Sequence, residues 1–248
     1  MLVLLPPSET KRDGGADRSR LDLGTLRYPE VTEQRAAALS ALARLSLDSA
    51  AASVALGLGR TQGAEIERNR VVETSPVMPA IDRYTGVLYD GIDAQTLDAA
   101  ERAWVADHVL VNSALFGLVG AGDPVPAYRL SHDSRLPGLP LKKHWRSALG
   151  DVLAREPGLL LDLRSESYAA LGPLPAHDRA FYLRVVTQTP TGQKKALTHF
   201  NKKGKGVFVR RLATSGIDHA DVASLLAWAA ESGIRLDHGA PGELELTV

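Results

Sequence analysis

The chain opens on four consecutive apolar residues, Leu2-Val-Leu-Leu5, stopped by Pro6-Pro7. An unbroken apolar run of that length, closed by residues that cannot continue a ladder, predicts a strand buried on both faces. Residues 11–20 are polar, contain glycine and show no periodicity, which predicts a loop free to move. From Thr32 apolar positions recur at helical spacing (Ala36, Leu39, Leu42, Leu45), and Asp48 is placed to cap a second, alanine-rich helix, so an antiparallel helix pair is expected. A helix over 98–106 carrying Trp104 leads into a strand over 108–112, and a helix over 141–155 leads into a strand over 158–162. Residues 180–189 are β-branched and aromatic, Pro190-Thr-Gly192 marks a turn, and 195–199 reads as the return strand. Asn201 is read as the cap of a helix to Leu212, and Asp218 as the cap of a helix to Ser232 that Gly233 stops. A strand over 244–248 ends the chain. Helices and strands interleave with no linker-like stretch, so the pattern predicts a single α/β domain over 1–248, a mixed sheet with interleaved helices.

Composition narrows the function classes. Of the 248 residues 44% are apolar and 23% charged, which excludes a disordered or fibrous chain. There is no cysteine, so the chain itself offers no thiolate nucleophile, no disulfide-linked partner and no thiolate-held zinc or iron–sulfur cluster. The first apolar run is too short for a secretion signal and no window of about 18 apolar residues occurs, so a cytoplasmic protein away from membranes is expected. The 29 Lys and Arg balance 29 Asp and Glu, but not evenly along the chain. Between Asp178 and Asp218 stand nine cations and no acid: Arg179, Arg184, Lys194, Lys195, Lys202, Lys203, Lys205, Arg210 and Arg211. On a helix starting at Asn201, Lys202, Lys203, Gly206 and Arg210 fall in one arc while Phe208 and Leu212 point elsewhere. Two readings of that face stand side by side, a solvated lysine surface and a phosphate-binding one. Gly204 and Gly206 each cost about 1 kcal/mol against alanine inside a helix, a cost easier to understand if a backbone or a phosphate approaches there.

Candidate chemistry is sparse. The seven histidines show no metal-ligand spacing, so no metal and no cofactor is expected. His199, just before the basic helix, is a candidate anion contact or proton donor. Gly57-Leu-Gly-Arg-Thr-Gln-Gly63 departs from a dinucleotide loop and reads as a helix stop. Ser8 and Lys11 have the spacing of a serine–lysine pair without its companion motifs, and read as loop residues. Asp162-Leu-Arg-Ser-Glu-Ser-Tyr168 leaves the carboxyl end of a predicted strand, which suits either a ligand site or a plain Ser165 cap.

Six pieces, in order along the chain, resemble the YaaA-like peroxide stress-response family: Leu4-Leu-Pro-Pro-Ser-Glu-Thr10, Tyr84-Thr-Gly-Val-Leu-Tyr-Asp-Gly91, Asn112-Ser-Ala-Leu-Phe-Gly-Leu118, Tyr128-Arg-Leu130, Asp162-Leu-Arg-Ser-Glu-Ser-Tyr168 and Phe200-Asn-Lys-Lys-Gly-Lys-Gly206. The resemblance implies one mixed α/β fold, a part in surviving peroxide and limiting free iron, and binding of double-stranded DNA through a basic cleft. It carries the family's motifs onto Tyr89 and Gly91, Ser165 and Tyr168, and Lys202, Lys203, Lys205, Gly206 and Arg210. Lys202, Lys203, Lys205 and Arg210, with Lys194 and Lys195, are the expected phosphate contacts, and Ser8, Tyr89, Arg129, Ser165, Tyr168 and His199 form the candidate pocket. The family's link to a helix-hairpin-helix element gives the glycine-rich stretch 115–122 two readings, a hairpin whose amides meet phosphate or a glycine-rich active-site or structural loop. Glu9 stands where many members carry a lysine, and Gly120 where an arginine often precedes proline. The alternative function is an enzyme acting on a nucleotide or another small anion in that pocket. Oligomeric state is not legible from the sequence.

Overall fold

The computed structural model describes residues 1–188, 194–196 and 200–248. The strands are β1 (Leu2–Leu5), β2 (Met78–Pro79), β3 (Val109–Ser113), β4 (Gly117–Gly120), β5 (Pro124–Val125), β6 (Leu160–Asp162), β7 (Ala180–Gln188), β8 (Lys194–Ala196), β9 (Leu236–His238) and β10 (Glu243–Thr247). The helices are α1 (Thr32–Ser46), α2 (Ser49–Ala55), α3 (Gly63–Arg70), α4 (Ala80–Arg83), α5 (Val87–Ile92), α6 (Ala99–His108), α7 (Leu141–Arg155), α8 (Glu166–Ala169), α9 (Phe200–Ser215) and α10 (Val222–Glu231).

The main sheet runs β4-β3-β1-β6-β7-β10-β9, with β8 on β7. β1 pairs in parallel with both β3 and β6, and every one of its residues is buried, which is what its continuous apolar run dictates. β7 pairs in parallel with β6 and β10, while β4, β8 and β9 are antiparallel additions. The fold is therefore the mixed α/β sheet that the sequence predicts. Val186 pairs with Thr247 of β10 on one side and with Ala196 of β8 on the other, so β8 lies on the same side of β7 as β6, beyond β6's carboxyl end. β3 lies to one side of β1 and β6 to the other, and the chain visits β3 before crossing to β6. A crevice opens outside the carboxyl end of β1 at such a reversal, where open α/β sheets gather ligands.

Several local expectations change. The polar loop 11–20 is pinned rather than free: buried Arg83 donates to the carbonyls of Arg12, Gly14 and Pro76, and Ala16 N–H to Val77 O. The first helix pair is a set of three, because α3 begins where Gly57–Gly63 reads as a stop and packs on both α1 and α2. Asp221, not Asp218, caps α10 by accepting from Ser224 N–H, and Asp218 instead binds the Met1 ammonium. The turn at Pro190-Thr-Gly192, the end of the predicted return strand and His199 lie outside the described residues. Among the described residues no helix is long and apolar enough to cross a membrane.

Candidate functional site

The segment leaving β1 is forced outward by Pro6-Pro7 and held by long-range hydrogen bonds from Thr85, Tyr89 and Arg129. Tyr89 Oη donates to Pro6 O at 2.8 Å, and Thr85 N donates to Ser8 Oγ at 3.0 Å. Lys11 folds back under the same segment, donating to Ser8 O (3.0 Å) and Glu9 O (3.3 Å) with its Nζ 4.1 Å from the Tyr128 ring centre. Ser8 Oγ itself turns to Thr10 O, so the serine–lysine spacing produces no hydroxyl–amine pair. Burial, reinforced by the nearby Arg129 charge, lowers the Lys11 pKa to about 7. Beneath it Tyr84, Tyr128 and Ser113 form a buried hydroxyl chain at 2.8 and 2.7 Å.

The segment leaving β6 is built on a buried ion pair. Arg164 grips both carboxylate oxygens of Asp162 (2.8 and 2.6 Å) and reaches Asn112 Oδ1, all within the core. Ser165 then caps α8 through Tyr168 N, so the cap reading of that motif holds locally. The same serine also lines a cavity. Tyr168 packs edge-on against His132 with ring centres 5.0 Å apart, and burial pushes its hydroxyl up to about 12 against the opposing hydrogen bonds of Ser131 and the His132 backbone.

α9 crosses α5 at glycine. A Cβ on Gly206 would stand 2.0 Å from Leu88 O and 3.0 Å from Gly91 Cα, and one on Gly91 would stand 3.1 Å from Lys203 O. The close approach that the glycines suggest is thus made by another helix. The predicted basic arc is consequently split. Gly206 faces α5, Arg210 donates to Ile92 O and Asp93 O and so closes the carboxyl end of α5, and Lys205 is buried with Nζ on Leu163 O at 3.0 Å. Asn201 lies inside the first turn of α9, one residue beyond its start, and does not cap it. Lys203 is exposed on the far side of α9, beside Arg211 and Arg235. Among the described residues, Lys202 alone carries an exposed charge from α9 into the crevice.

These pieces enclose a cavity of about 460 Å³ at the carboxyl end of β1. Ser8, Tyr89, Ser165, Tyr168 and Lys202 all line it, drawn from four separate segments. A second chamber of about 350 Å³ shares Pro6, Leu88, Ser165 and Lys202 with the first and continues past Tyr182 to Lys205. Arg129 stands behind the wall, bonded to Glu9 Oε2 at 3.0 Å. The glycine-rich stretch near 115–122 is β4 and its turns, buried against β3 and Trp145, so its amides face the core and not solvent phosphate. Sequence reasoning missed Thr85, Gly86, Ser131 and His132 as cavity residues. The first two sit inside the Tyr84–Gly91 piece and the last two directly follow Tyr128–Leu130, so adjacency to those pieces was the available signal.

The model of the family described as peroxide stress protein YaaA matches residues 1–235. The chain is 39% identical over 255 residues to the UPF0246 protein CE1889 of Corynebacterium efficiens, covering all of both chains. It is 38% identical over 247 residues to the UPF0246 protein SCO2297 of Streptomyces coelicolor, covering 98% of this chain and 94% of the relative. The chain belongs to the YaaA peroxide stress protein family.

Proposed function

We propose that this protein acts in peroxide defence by binding a small anion, a nucleotide or another compact phosphate or carboxylate, in an enzyme-like cleft. The observation that carries the reading is that Ser8, Tyr89, Ser165, Tyr168 and Lys202 line one concavity at the sheet's reversal point. A small ligand needs concave walls with a few convergent polar groups, whereas a duplex needs an open charged track. Lys202 supplies the attraction, and Ser165 and His132 supply hydroxyl and imidazole partners at the wall, the Ser8 hydroxyl being spent on Thr10 O. Isothermal titration with inorganic phosphate and with adenosine monophosphate tests it. Binding that disappears in Lys202→Ala supports the reading, and no heat from either compound overturns it.

A second reading, binding of double-stranded DNA, draws on a different observation. Lys202 and Lys203 are exposed, and β8, which contains Lys194 and Lys195, pairs with β7 beyond the end of β6. If four to six phosphates are neutralised there, the log–log salt slope of duplex binding is about −4 to −5. A flat slope, or duplex binding unaffected by changing Lys202 and Lys203 to Glu, removes this reading. Cytoplasmic location and limitation of free iron travel with the family as proposals, and fractionation and free-iron measurements in a deletion strain test them.

A further inference from the structure

The second chamber holds an amine that the anion site does not need. Lys205 lines it, one helical turn after Lys202, and is 4% exposed. Its Nζ has one hydrogen-bond acceptor, Leu163 O at 3.0 Å, and lies 5.2 Å from the Tyr182 ring centre. Asp162, the acid that acts on it, is taken up by Arg164, and Arg184, itself bound to Glu243 and Glu166, adds a second positive charge nearby. An ammonium so placed is poorly compensated.

We propose that Lys205 is a carbonyl-reactive amine, set to form an imine with a small aldehyde or ketone whose carboxylate or phosphate is held by Lys202. The second half of this assignment rests on the small-anion reading above; the first half does not. Burial first, and Arg184 after it, hold the Lys205 pKa down to about 8. At pH 7.5 roughly a quarter of such an amine is neutral, against about one part in a thousand for an ordinary lysine. Desolvation beside another cation is the setting in which lysine serves as a nucleophile. In the step itself the Nζ lone pair attacks the carbonyl carbon and a C–N bond forms. The carbonyl oxygen then leaves as water with the two nitrogen-borne hydrogens as the C=N bond closes, so amine and carbonyl give imine and water with no oxidant or reductant.

Lys11 is an internal control, because its pKa is also lowered, to about 7, yet it makes two backbone hydrogen bonds and lines neither chamber. The test is reductive trapping of the intact protein at pH 7.5 with limiting glyoxylate and cyanoborohydride, read lysine by lysine by peptide mass mapping, with propionaldehyde as the uncharged arm. The expected result is carboxymethylation of Lys205 at least tenfold ahead of exposed Lys142, Lys143 and Lys203, with Lys11 untouched. Modification of Lys205 no faster than those three overturns the assignment. Lys202→Ala is expected to slow trapping by glyoxylate at least threefold and to leave propionaldehyde unchanged. Equal behaviour of the two aldehydes in Lys202→Ala overturns the anion-holding half, and the small-anion reading with it, while the reactive amine stands.

Discussion

The segments leaving β1 and β6 solve one problem in two ways. Each must turn away from the carboxyl end of a buried central strand, and each does so with a tyrosine hydroxyl and a lysine ammonium bound to backbone carbonyls. After β1 these are Tyr89 on Pro6 O and Lys11 on Ser8 O and Glu9 O; after β6 they are Tyr182 on Arg164 O and Lys205 on Leu163 O. Both ammonium groups also sit near tyrosine rings. The difference lies underneath. The β6 segment is founded on a buried Asp162–Arg164 pair and receives its lysine from 42 positions away, whereas the β1 segment has no buried ion pair among the described residues and its lysine is local. One wall of the cleft is therefore founded on a buried ion pair, and the other is held by hydrogen bonds from Tyr89, Thr85 and Arg129 without one.

Removing the foundation is the harshest way to break the comparison. Arg164→Ala leaves Asp162 charged at 1% exposure without its guanidinium partner, and the expected loss is about 3–5 kcal/mol of unfolding free energy in a urea titration. Lys11→Met removes a desolvated charge whose departure leaves no buried counter-ion, so its cost is expected to stay below about 1 kcal/mol. Equal losses from the two would mean that the walls are not built differently.

The helix crossing that delivers Lys202 and Lys205 comes next in size. Gly206→Ala puts a methyl group into Leu88 O and is expected to cost about 1–3 kcal/mol. Gly204→Ala meets only the side-chain methyls of Val248 and Val185 at 3.1 and 3.4 Å, while helix propensity favours it by about 1 kcal/mol, so it is expected to be close to neutral. Thermal melts of the two variants side by side check this. If they shift alike, the crossing is not as tight as the α5–α9 geometry requires.

Much of this architecture is legible in the sequence because it depends on local pattern. Leu2–Leu5 reads as a doubly buried strand, Leu141–Arg155 as a helix, and Gly206 as a place of close approach. What is not legible depends on partners distant in sequence. Nothing local tells that Lys205 is buried at the end of the second chamber and Lys202 exposed where the two chambers meet, because the face of α9 that is buried is decided by α5 and the sheet. Nothing local shows Arg83 tying down residues 12–14, since its acceptors are carbonyls that every residue possesses. The α10 cap depends on a distant partner in the same way: Asp218 and Asp221 are equivalent by type, and the Met1 ammonium claims the first.

The two lysines also make the comparison titratable. In the unfolded chain each binds its proton up to about pH 10.5, whereas in the fold Lys11 releases it near 7 and Lys205 near 8. Between those values the unfolded state holds more protons, so their contribution to stability rises with pH; below pH 7 both states are protonated and it is flat. Buried Tyr89 and Tyr128, raised above 10, act with the opposite sign only from about pH 10 upward. The urea midpoint measured from pH 7 to 9.5 is expected to climb in the native protein, less steeply in Lys11→Met and in Lys205→Met, and least in the double variant. An unchanged slope in both single variants would show that neither amine is depressed.

The smallest expected effect on stability carries the sharpest statement about function. Lys202 is exposed, makes no hydrogen bond or ion pair among the described residues, and extends into a cavity whose other lining groups are fixed by internal bonds: Ser8 by Thr85, Tyr89 by Pro6, Ser165 by Tyr168. Its removal disturbs no packing, so Lys202→Ala is expected to keep the unfolding free energy within about 0.5 kcal/mol of the native value. The same change takes an exposed cation away from the point where both chambers meet, and phosphate affinity is expected to fall at least tenfold. Lys203→Ala, one residue along but across the helix, is expected to alter neither quantity. A stability change in Lys202→Ala as large as that in Gly206→Ala would mean that the lysine braces the wall and does not attract a ligand.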